Sequence, residues 1–217
     1  MIMKATDYLF LGCLCLLVFF SCEKEEELEL VGDVCTKMDD LIFMDYCYRY
    51  YDVNNDKRVS MKEASAIQEM ELYDMIYVYN KPITSLKGIE YFTRLAFLDC
   101  GENGLTNLDV SKNTSLTELY CYENQLKSLN LGKNTSLTVL GCSDNLLTSL
   151  DVSKNTSLTE LDCSVNYLTN LDVSKNTKLK VLICVSNPNL KEIWLKRGQV
   201  IDYLEYDKNI ATIKYKD

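Results

Sequence analysis

The chain has 217 residues, of which 47% are hydrophobic, and a formal net charge of −9, which suits one domain with a real core. The acidic balance argues against nucleic acid as a partner, because phosphate binding requires an excess of lysine and arginine. The sequence has no histidine, so the commonest general base and metal ligand is excluded, and an enzyme would need carboxylate or tyrosine chemistry.

The N-terminus has the pattern of an export signal. Lys4 precedes an apolar run over residues 8–20, which is shorter than the roughly 20 residues of a membrane-spanning helix. It predicts a signal peptide over residues 1–21. The small Ser21 before Cys22 resembles a bacterial lipoprotein signal, in which the cysteine is diacylated and becomes the mature N-terminus. That signal usually has a leucine where this chain has Phe19, and an ordinary secretory signal with an incidental cysteine is the alternative.

An acidic segment over residues 22–37 is predicted to be a tether. Cys22 is followed at once by Glu, Lys and three further Glu, and such an abrupt change of polarity cannot belong to one buried element. The acidic block resembles the surface-export signal of lipoproteins of the Bacteroidetes. The resemblance implies an exported protein at the outer membrane or cell surface, held in the membrane by a lipid on Cys22. A plain solvated linker is the alternative.

Residues 38–71 are predicted to form a helix–loop–helix cap. Leu41, Met44 and Cys47 have helical spacing before the loop, and Ala64 and Ile67 have the spacing of a core face after it. The loop resembles the twelve-residue calcium loop of EF-hands. That resemblance implies calcium as a cofactor and six residues that supply oxygen ligands, Arg58 through its carbonyl: Asp52, Asn54, Asp56, Arg58, Ser60 and Glu63.

Two features of this loop favour a different interpretation. Lys57 stands where the family has glycine, and a non-glycine residue at positive φ costs energy, so a reduced calcium affinity is expected. Ser60 and Glu63 alone form an S-x-x-E capping box. A simple capped turn without calcium is therefore the alternative.

Residues 72–195 carry a repeat of 21 residues. The unit is L-x-x-L-x-C-x-x-N-x-L-x-x-L-D-V-S-K-N-T-S, and a fixed period in this range indicates a solenoid whose turns stack to bury their apolar stripes. Four columns recur at this interval: Leu95, Leu116, Leu137, Leu158 and Leu179; Leu98, Leu119, Leu140, Leu161 and Leu182; Cys100, Cys121, Cys142, Cys163 and Cys184; and Asn103, Asn124, Asn145, Asn166 and Asn187.

Each column has a predicted role. The alternating L-x-C step predicts a short strand with leucine and cysteine pointing inward, and stacked strands pair into a parallel sheet at about 4.8 Å spacing. The asparagine amide is expected to bond backbone groups of its own and adjacent turns. The cysteines are predicted to be reduced, because facing side chains on in-register strands point the same way. The Asn-Thr-Ser triplets that begin at Asn113, Asn134 and Asn155 are interpreted as turns and not as glycosylation sites.

The repeat resembles the leucine-rich repeat, in the cysteine-bearing form of internalin-like surface proteins. The resemblance implies an α/β-type repeat solenoid with short parallel β-strands on a concave face, a mostly irregular convex side and the small helix–loop–helix cap at its N-terminal end. A degenerate first turn is predicted, with Leu72, Met75, Tyr77 and Asn80 in the four repeat positions. Residues 196–217 are predicted to form a C-terminal β cap.

Ligands of leucine-rich-repeat proteins usually meet the concave sheet, so the residues beside the inward leucines and cysteines are the predicted ligand-binding set. Tyr120 and Tyr122 stand out because tyrosine is a frequent interface anchor and also stacks on sugars. The alternative is that exposed tyrosine and valine simply suit strands. The predicted set is Phe97, Asp99, Glu118, Tyr120, Tyr122, Glu160, Asp162 and Ile183.

Three functions are compatible with these features. The first is a surface-anchored binding or adhesion protein that recognises a protein or a glycan. The second is a structural envelope lipoprotein without an exchangeable ligand. The third, which the sequence disfavours, is a glycosidase using Glu118 and Glu160, which lie two turns and about 9.6 Å apart. The sequence therefore predicts a binding protein and not an enzyme.

Overall fold

The computed structural model describes residues 32–217, so the predicted signal peptide, Cys22 and residues 22–31 of the predicted tether lie outside the described residues. The described chain is a solenoid with a parallel sheet on its concave face, which confirms the predicted fold class. The strands of this sheet, in spatial order, are β1 (Glu69–Glu71), β2 (Phe97–Asp99), β3 (Glu118–Tyr120), β4 (Val139–Gly141), β5 (Glu160–Asp162), β7 (Val181–Ile183) and β9 (Tyr203–Glu205).

The register of the sheet follows the sequence repeat. Leu119 lies opposite Leu98 on one side and Leu140 on the other, and all three side chains are buried. The ladder cysteines are buried in the next inward position. Burial raises the pKa of the Cys142 thiol well above its ordinary value, so the column is a stack of neutral thiols. Every cysteine in the described part of the chain is free, in agreement with a reduced ladder.

The first asparagine column ties each turn to its neighbours as predicted. The Asn124 amide donates to the carbonyl of Cys100 at 3.0 Å, of Cys121 at 3.3 Å and of Tyr122 at 3.0 Å. Its side-chain oxygen accepts from the Leu105 N–H at 2.9 Å. Since the pattern recurs from Asn103 to Asn187, buried backbone groups at the strand ends are paired along the solenoid.

A second asparagine column lies inside the turns that the sequence marked only as polar. Asn113, Asn134, Asn155 and Asn176 are 0% exposed. The Asn134 amide donates to the carbonyls of Val110 at 3.0 Å and of Asn113 at 2.9 Å. The side-chain oxygens of this column accept no hydrogen bond from a described residue. Folding therefore buries the amides of the three Asn-Thr-Ser triplets, which keeps them from modification in the folded chain.

The N-terminal region covers the apolar end of the first turn, which a solenoid must hide. A 3-10 turn (Val34–Lys37) leads into helix α1 (Leu41–Tyr51), and the predicted loop leads into α2 (Met61–Ala64). Helix α1 begins at the Asp40 side chain, which accepts from the Ile42 and Phe43 N–H groups. The rings of Phe43 and Tyr51 lie 6.4 and 5.6 Å from that of Phe92 in the first turn.

The solenoid begins three residues before its predicted start at residue 72. Met70, at the centre of β1, lies opposite Leu98. The Leu72 N–H donates to the Asp99 carbonyl, the bond that the N–H of a ladder cysteine makes in later turns. Leu72 therefore takes the position of a ladder cysteine.

The predicted register of this first turn is wrong. Met75 and Tyr77 were aligned with Leu98 and Cys100, but both lie in a short helix, α3 (Met75–Tyr79), where later turns have the ladder asparagine. The helix lengthens this turn beyond 21 residues. An alignment that assumes the regular period therefore matches the wrong residues of the first turn to the repeat positions. A 3-10 turn (Ile89–Tyr91) follows on the return side.

Residues 196–217 continue the solenoid. Within them, β9 extends the concave sheet, while β10 (Thr212–Lys216) pairs with β8 (Glu192–Lys196) in a second parallel sheet on the return side, which β6 (Asn170–Asp172) completes. The predicted β structure at this end is present as two strands, one in each sheet. No helix within residues 32–217 has the length and apolar character needed to cross a membrane.

Candidate functional site

The concave sheet brings together all eight residues predicted to bind a ligand. Seven occupy outward positions of strands, and Tyr122 lies two residues after the end of β3. Along β2, β3 and β7 a buried residue alternates with two half-buried ones, as expected for a sheet with one face on the core. The predicted residues therefore form a continuous surface across neighbouring turns: Phe97, Asp99, Glu118, Tyr120, Tyr122, Glu160, Asp162 and Ile183.

Two glycines set the positions of the tyrosine rings. A Cβ atom built on Gly101 would lie 2.5 Å from Cζ of Tyr122, and one built on Gly141 would lie 3.0 Å from Cδ1 of Tyr120. Both glycines are buried although they occupy outward-facing positions, because the rings cover them. Tyr122 thus leans toward the turn of β2, and Tyr120 leans toward β4.

Side chains next to Tyr120 also restrict the position of its ring. Its ring centroid lies 5.7 Å from that of Phe97, and its hydroxyl donates to Oε2 of Glu118 at 3.2 Å. Burial and nearby carboxylates, Glu118 first among them, raise the pKa of Tyr120. Burial, followed by the charge of Asp99, raises the pKa of Tyr122 to about 12. Both phenols are therefore neutral hydrogen-bond donors at neutral pH.

The same face carries closely spaced carboxylates. Asp99 on β2 lies directly beside Glu71 on β1. Burial raises the pKa of Asp99 and the charge of Glu71 raises it further, although the Gly101 N–H donates to its carboxylate at 3.0 Å and opposes the shift. Burial is the larger cause of this shift, and the contribution of Glu71 shows that the two neighbouring carboxylates repel each other.

Two depressions in the surface differ in chemistry. The larger, of about 460 Å³, lies away from the concave sheet and is lined by side chains of both charges, including Asp39, Lys87 and Lys112. The smaller, of about 190 Å³, lies on β3–β5 and β7, and its lining includes Tyr120, Tyr122, Gly141, Glu160, Asp162 and Ile183. We regard the smaller as the candidate site, because aromatic rings and carboxylates converge there on rigid strands.

In the predicted calcium loop, carboxylates accept hydrogen bonds from backbone N–H groups of the first half of the loop. The Asp52 carboxylate accepts from the N–H groups of Asp56 at 3.1 Å and Lys57 at 2.8 Å. Glu63, from α2 at the other end of the loop, accepts from the Val53 N–H at 3.1 Å. The loop is thereby closed, with carboxylates from both ends bonded to the same stretch of chain.

The remaining predicted ligands continue this pattern. Asn54 Oδ1 accepts from the Asp56 N–H, and Asp56 Oδ1 accepts from the Arg58 N–H, each at 2.9 Å. Lys57 has φ = 68°, the left-handed conformation for which the EF-hand family uses glycine. Partial burial raises the pKa of Glu63, but hydrogen bonds from Ser60, Val53 and Asn54 outweigh that effect, so the pKa lies below its ordinary value.

The residue types in this loop fit calcium, which prefers several oxygen ligands. Within residues 32–217, however, no three His, Cys, Asp or Glu side chains lie close enough together to hold a metal ion by themselves. A calcium ion would also need oxygens of Asn54, Arg58 and Ser60. The alternative capped turn is formed as well, since Glu63 Oε2 accepts from the Ser60 N–H at 2.9 Å and Ser60 Oγ accepts from the Glu63 N–H at 3.2 Å.

The predicted ligand-binding set left out three residues of the concave site. Gly101 and Gly141 occupy outward positions where later turns have larger side chains, and that departure from the repeat was the available signal. Tyr73 lies two residues after the end of β1, in the same column as Gly101 and Tyr122, and is 52% exposed. Tyr73 was not predicted because the first turn was aligned in the wrong register.

Comparisons with known proteins agree with this fold. No protein-family model and no curated protein matches the sequence. Among solved structures, the functional domain of InlJ from Listeria monocytogenes, which includes a cysteine ladder, matches with a TM-score of 0.68 and 29% identity over 86% of this chain and 44% of that one. An internalin, InlF, from the same organism matches with a TM-score of 0.60 and 19% identity over 87% of this chain and 54% of that one, which supports the fold alone.

The chain thus spans about half the length of the solved structures that it matches. The matches confirm an internalin-like leucine-rich-repeat solenoid with a cysteine ladder.

Proposed function

We propose that this chain is a surface-anchored binding protein that recognises a protein ligand through its concave face. The observation that carries the proposal is the pair of tyrosine rings, Tyr120 and Tyr122, that lie over Gly141 and Gly101. Rings held in place before binding lose little conformational entropy when a partner arrives. Solenoids of this fold typically serve as protein-interaction domains, and a glycan ligand is the competing outcome of the test below.

The glycosidase alternative gains little from the geometry. Glu118 and Glu160 lie on the same column of the sheet, but Val139 stands between them and pairs with both strands. An inverting pair needs room for the sugar and a water molecule between the two carboxylates. An apolar side chain at that place favours contact with a partner's apolar groups instead.

Anchoring and calcium complete the proposal. The lipid on Cys22 would hold the domain at the outer membrane or cell surface, with the acidic segment as a spacer. Calcium in the loop from Asp52 to Glu63 would offset two of the three negative charges of Asp52, Asp56 and Glu63 and fix the loop between α1 and α2. Its role would be structural, because the cap packs on the first turn through Phe92.

Site-specific photo-crosslinking tests the binding proposal. A photoreactive residue replaces Val139, on the concave face, or Lys154, in an exposed turn, in the full chain on intact cells. We expect a protein adduct from position 139 that disappears when Tyr120 and Tyr122 are both changed to Leu, and none from position 154. Equal adducts from both positions, or no adduct from 139, would contradict the proposal. Binding on a glycan array that depends on the same tyrosines would replace the protein ligand by a glycan.

A further inference from the structure

The concave sheet has an unbalanced charge. Its seven strands present fourteen outward positions, two for each three-residue strand. Seven of these positions carry a carboxylate and none carries lysine or arginine. The remaining positions are aromatic, aliphatic or glycine. The acidic positions are Glu69, Glu71, Asp99, Glu118, Glu160, Asp162 and Glu205.

A second acidic column borders the sheet at the ends of the first strands. Asp74, Glu102, Glu123 and Asp144 occupy the same position of successive turns, each with a positive φ near 50°. The Glu102 N–H donates to the Tyr122 carbonyl and the Glu123 N–H to the Ser143 carbonyl, each at 3.0 Å. The column is therefore stacked in register, and like charges face one another along it. The fifth member of the column is Val165, so the acidic character is concentrated on the N-terminal turns.

The lysines of the repeat lie elsewhere. Lys112, Lys133, Lys154 and Lys175 occupy the turns that precede the strands, one per turn, and all are exposed. The acids of these two sets thus line the face and the edge where strands end, while the repeated lysines line the edge where strands begin. The separation gives the concave face a negative potential that the repeated lysines do not cancel.

The acids of the face have no cationic partner within residues 32–217. The ion pairs of the described chain join Arg49 to Asp45, Arg197 to Asp217 and Lys216 to Asp172. None of these carboxylates belongs to the concave sheet or to the acidic column. Stacked, unpaired like charges repel one another, and a positively charged ligand would relieve that repulsion.

The tyrosine rings further indicate which kind of positively charged group would bind. A guanidinium or ammonium group is attracted to the face of a tyrosine ring, and Arg also forms paired hydrogen bonds with carboxylates. Tyr120 lies between Asp99 and Gly141 in its column and bonds Glu118, so a ring and carboxylates occur side by side. A sulfated or sialylated glycan would be repelled by the same charges.

From these observations we infer that the concave face recognises a cationic protein segment, in which arginine or lysine side chains dock on the tyrosine rings and the carboxylates beside them. The inference rests on the proposed binding function and specifies the class of partner.

Binding of model peptides to the full chain tests the inference. The probes are decapeptides of alternating glycine with arginine, with lysine or with glutamate, and a neutral oligosaccharide serves as a fourth probe. We expect the arginine peptide to bind, the lysine peptide to bind more weakly, and the other two probes not to bind. The affinity for the arginine peptide should fall roughly tenfold between 50 and 300 mM salt. Equal binding of the glutamate peptide or the oligosaccharide would overturn the inference.

Matched charge variants distinguish recognition from general attraction. Glu118→Gln with Glu160→Gln removes two charges from the concave face, and Asp109→Asn with Asp151→Asn removes two from exposed turns on the return side, where an amide oxygen can still accept from Ser111 and Ser153. The first pair should weaken arginine-peptide binding about tenfold and the second less than twofold. Equal weakening by both would contradict the inference. A photo-crosslinked partner that contacts the face without basic residues would overturn the inference while the binding proposal stands.

Discussion

The ring of Tyr122 lies over Gly101, where an added Cβ atom would come within 2.5 Å of ring atom Cζ. The two residues occupy the same repeat position of successive turns. Any larger residue at 101 would therefore push the ring away from the sheet. A substitution at Gly101 therefore moves the Tyr122 ring without changing Tyr122 itself. Such a variant tests whether the position of the ring matters, separately from its chemistry.

The thiol ladder is predicted to stabilise the core through its apolar character. Cys142→Ser places a hydroxyl in a buried column without a hydrogen-bond partner and should lower the free energy of unfolding by about 1–3 kcal/mol, seen as a lower urea midpoint. Cys100→Ser is the matched control, because the Cys100 thiol donates to the Tyr120 carbonyl at 3.4 Å and a hydroxyl there keeps a partner. Equal losses in both variants would refute this explanation, and so would a disulfide found in the ladder by mass spectrometry.

The second asparagine column is predicted to stabilise the fold through its buried hydrogen bonds. Asn134→Ala removes two buried hydrogen bonds, to the Val110 and Asn113 carbonyls, and should destabilise the chain by about 1–3 kcal/mol. The control, Asn130→Ala, removes an exposed bond to the Gly132 N–H and should cost less than about 0.5 kcal/mol. Thermal unfolding of the two variants measures the difference, and similar melting temperatures would show that the column contributes little.

The two asparagine columns show which parts of the fold can be predicted from the sequence and which cannot. Leucine, cysteine and Asn124 sit where a 21-residue period demands an inward residue, so periodicity predicts them. Asn134 recurs with the same period, but Asn is also an ordinary turn residue, and only the packing shows that it is buried. Met70 was missed because α3 lengthens the first turn. The role of the outward-facing Gly101 was not predicted, because the core places no demand on that position and its significance arises from the ring of the next turn.

Calcium is predicted to stabilise the N-terminal cap. Millimolar calcium should raise the melting temperature of the wild-type chain, since an ion bound only by the folded form stabilises it by RT ln(1 + [L]/Kd). Glu63→Gln should abolish the rise while its single amide oxygen can still accept from the Ser60 N–H. Lys57→Gly should enlarge it, because φ at this position is 68° and glycine adopts that conformation freely. If calcium changes the melting temperature of none of the three proteins, the loop is a capped turn that does not bind calcium.

Membrane attachment is predicted to depend on Cys22. Cys22→Ala in the full chain should release the protein from membranes, because a lipid on this thiol would be the anchor. Cys15→Ala, within the apolar run of the predicted signal, is the control and should leave attachment unchanged. Alkaline extraction followed by centrifugation measures the partition. A Cys22→Ala protein that stays with the membrane fraction would rule out the lipoprotein interpretation.

The affinity of Gly101→Ala for the partner captured at position 139 tests the binding role of the concave face most directly. Gly132→Ala is the control, since its added Cβ would approach only Asn130 Oδ1, at 3.4 Å. We expect Gly101→Ala to weaken binding at least about tenfold, a loss of about 1.4 kcal/mol, at an unfolding midpoint close to that of the wild type, and Gly132→Ala to bind like the wild type. Wild-type affinity in both variants, with Tyr122 displaced, would contradict the account.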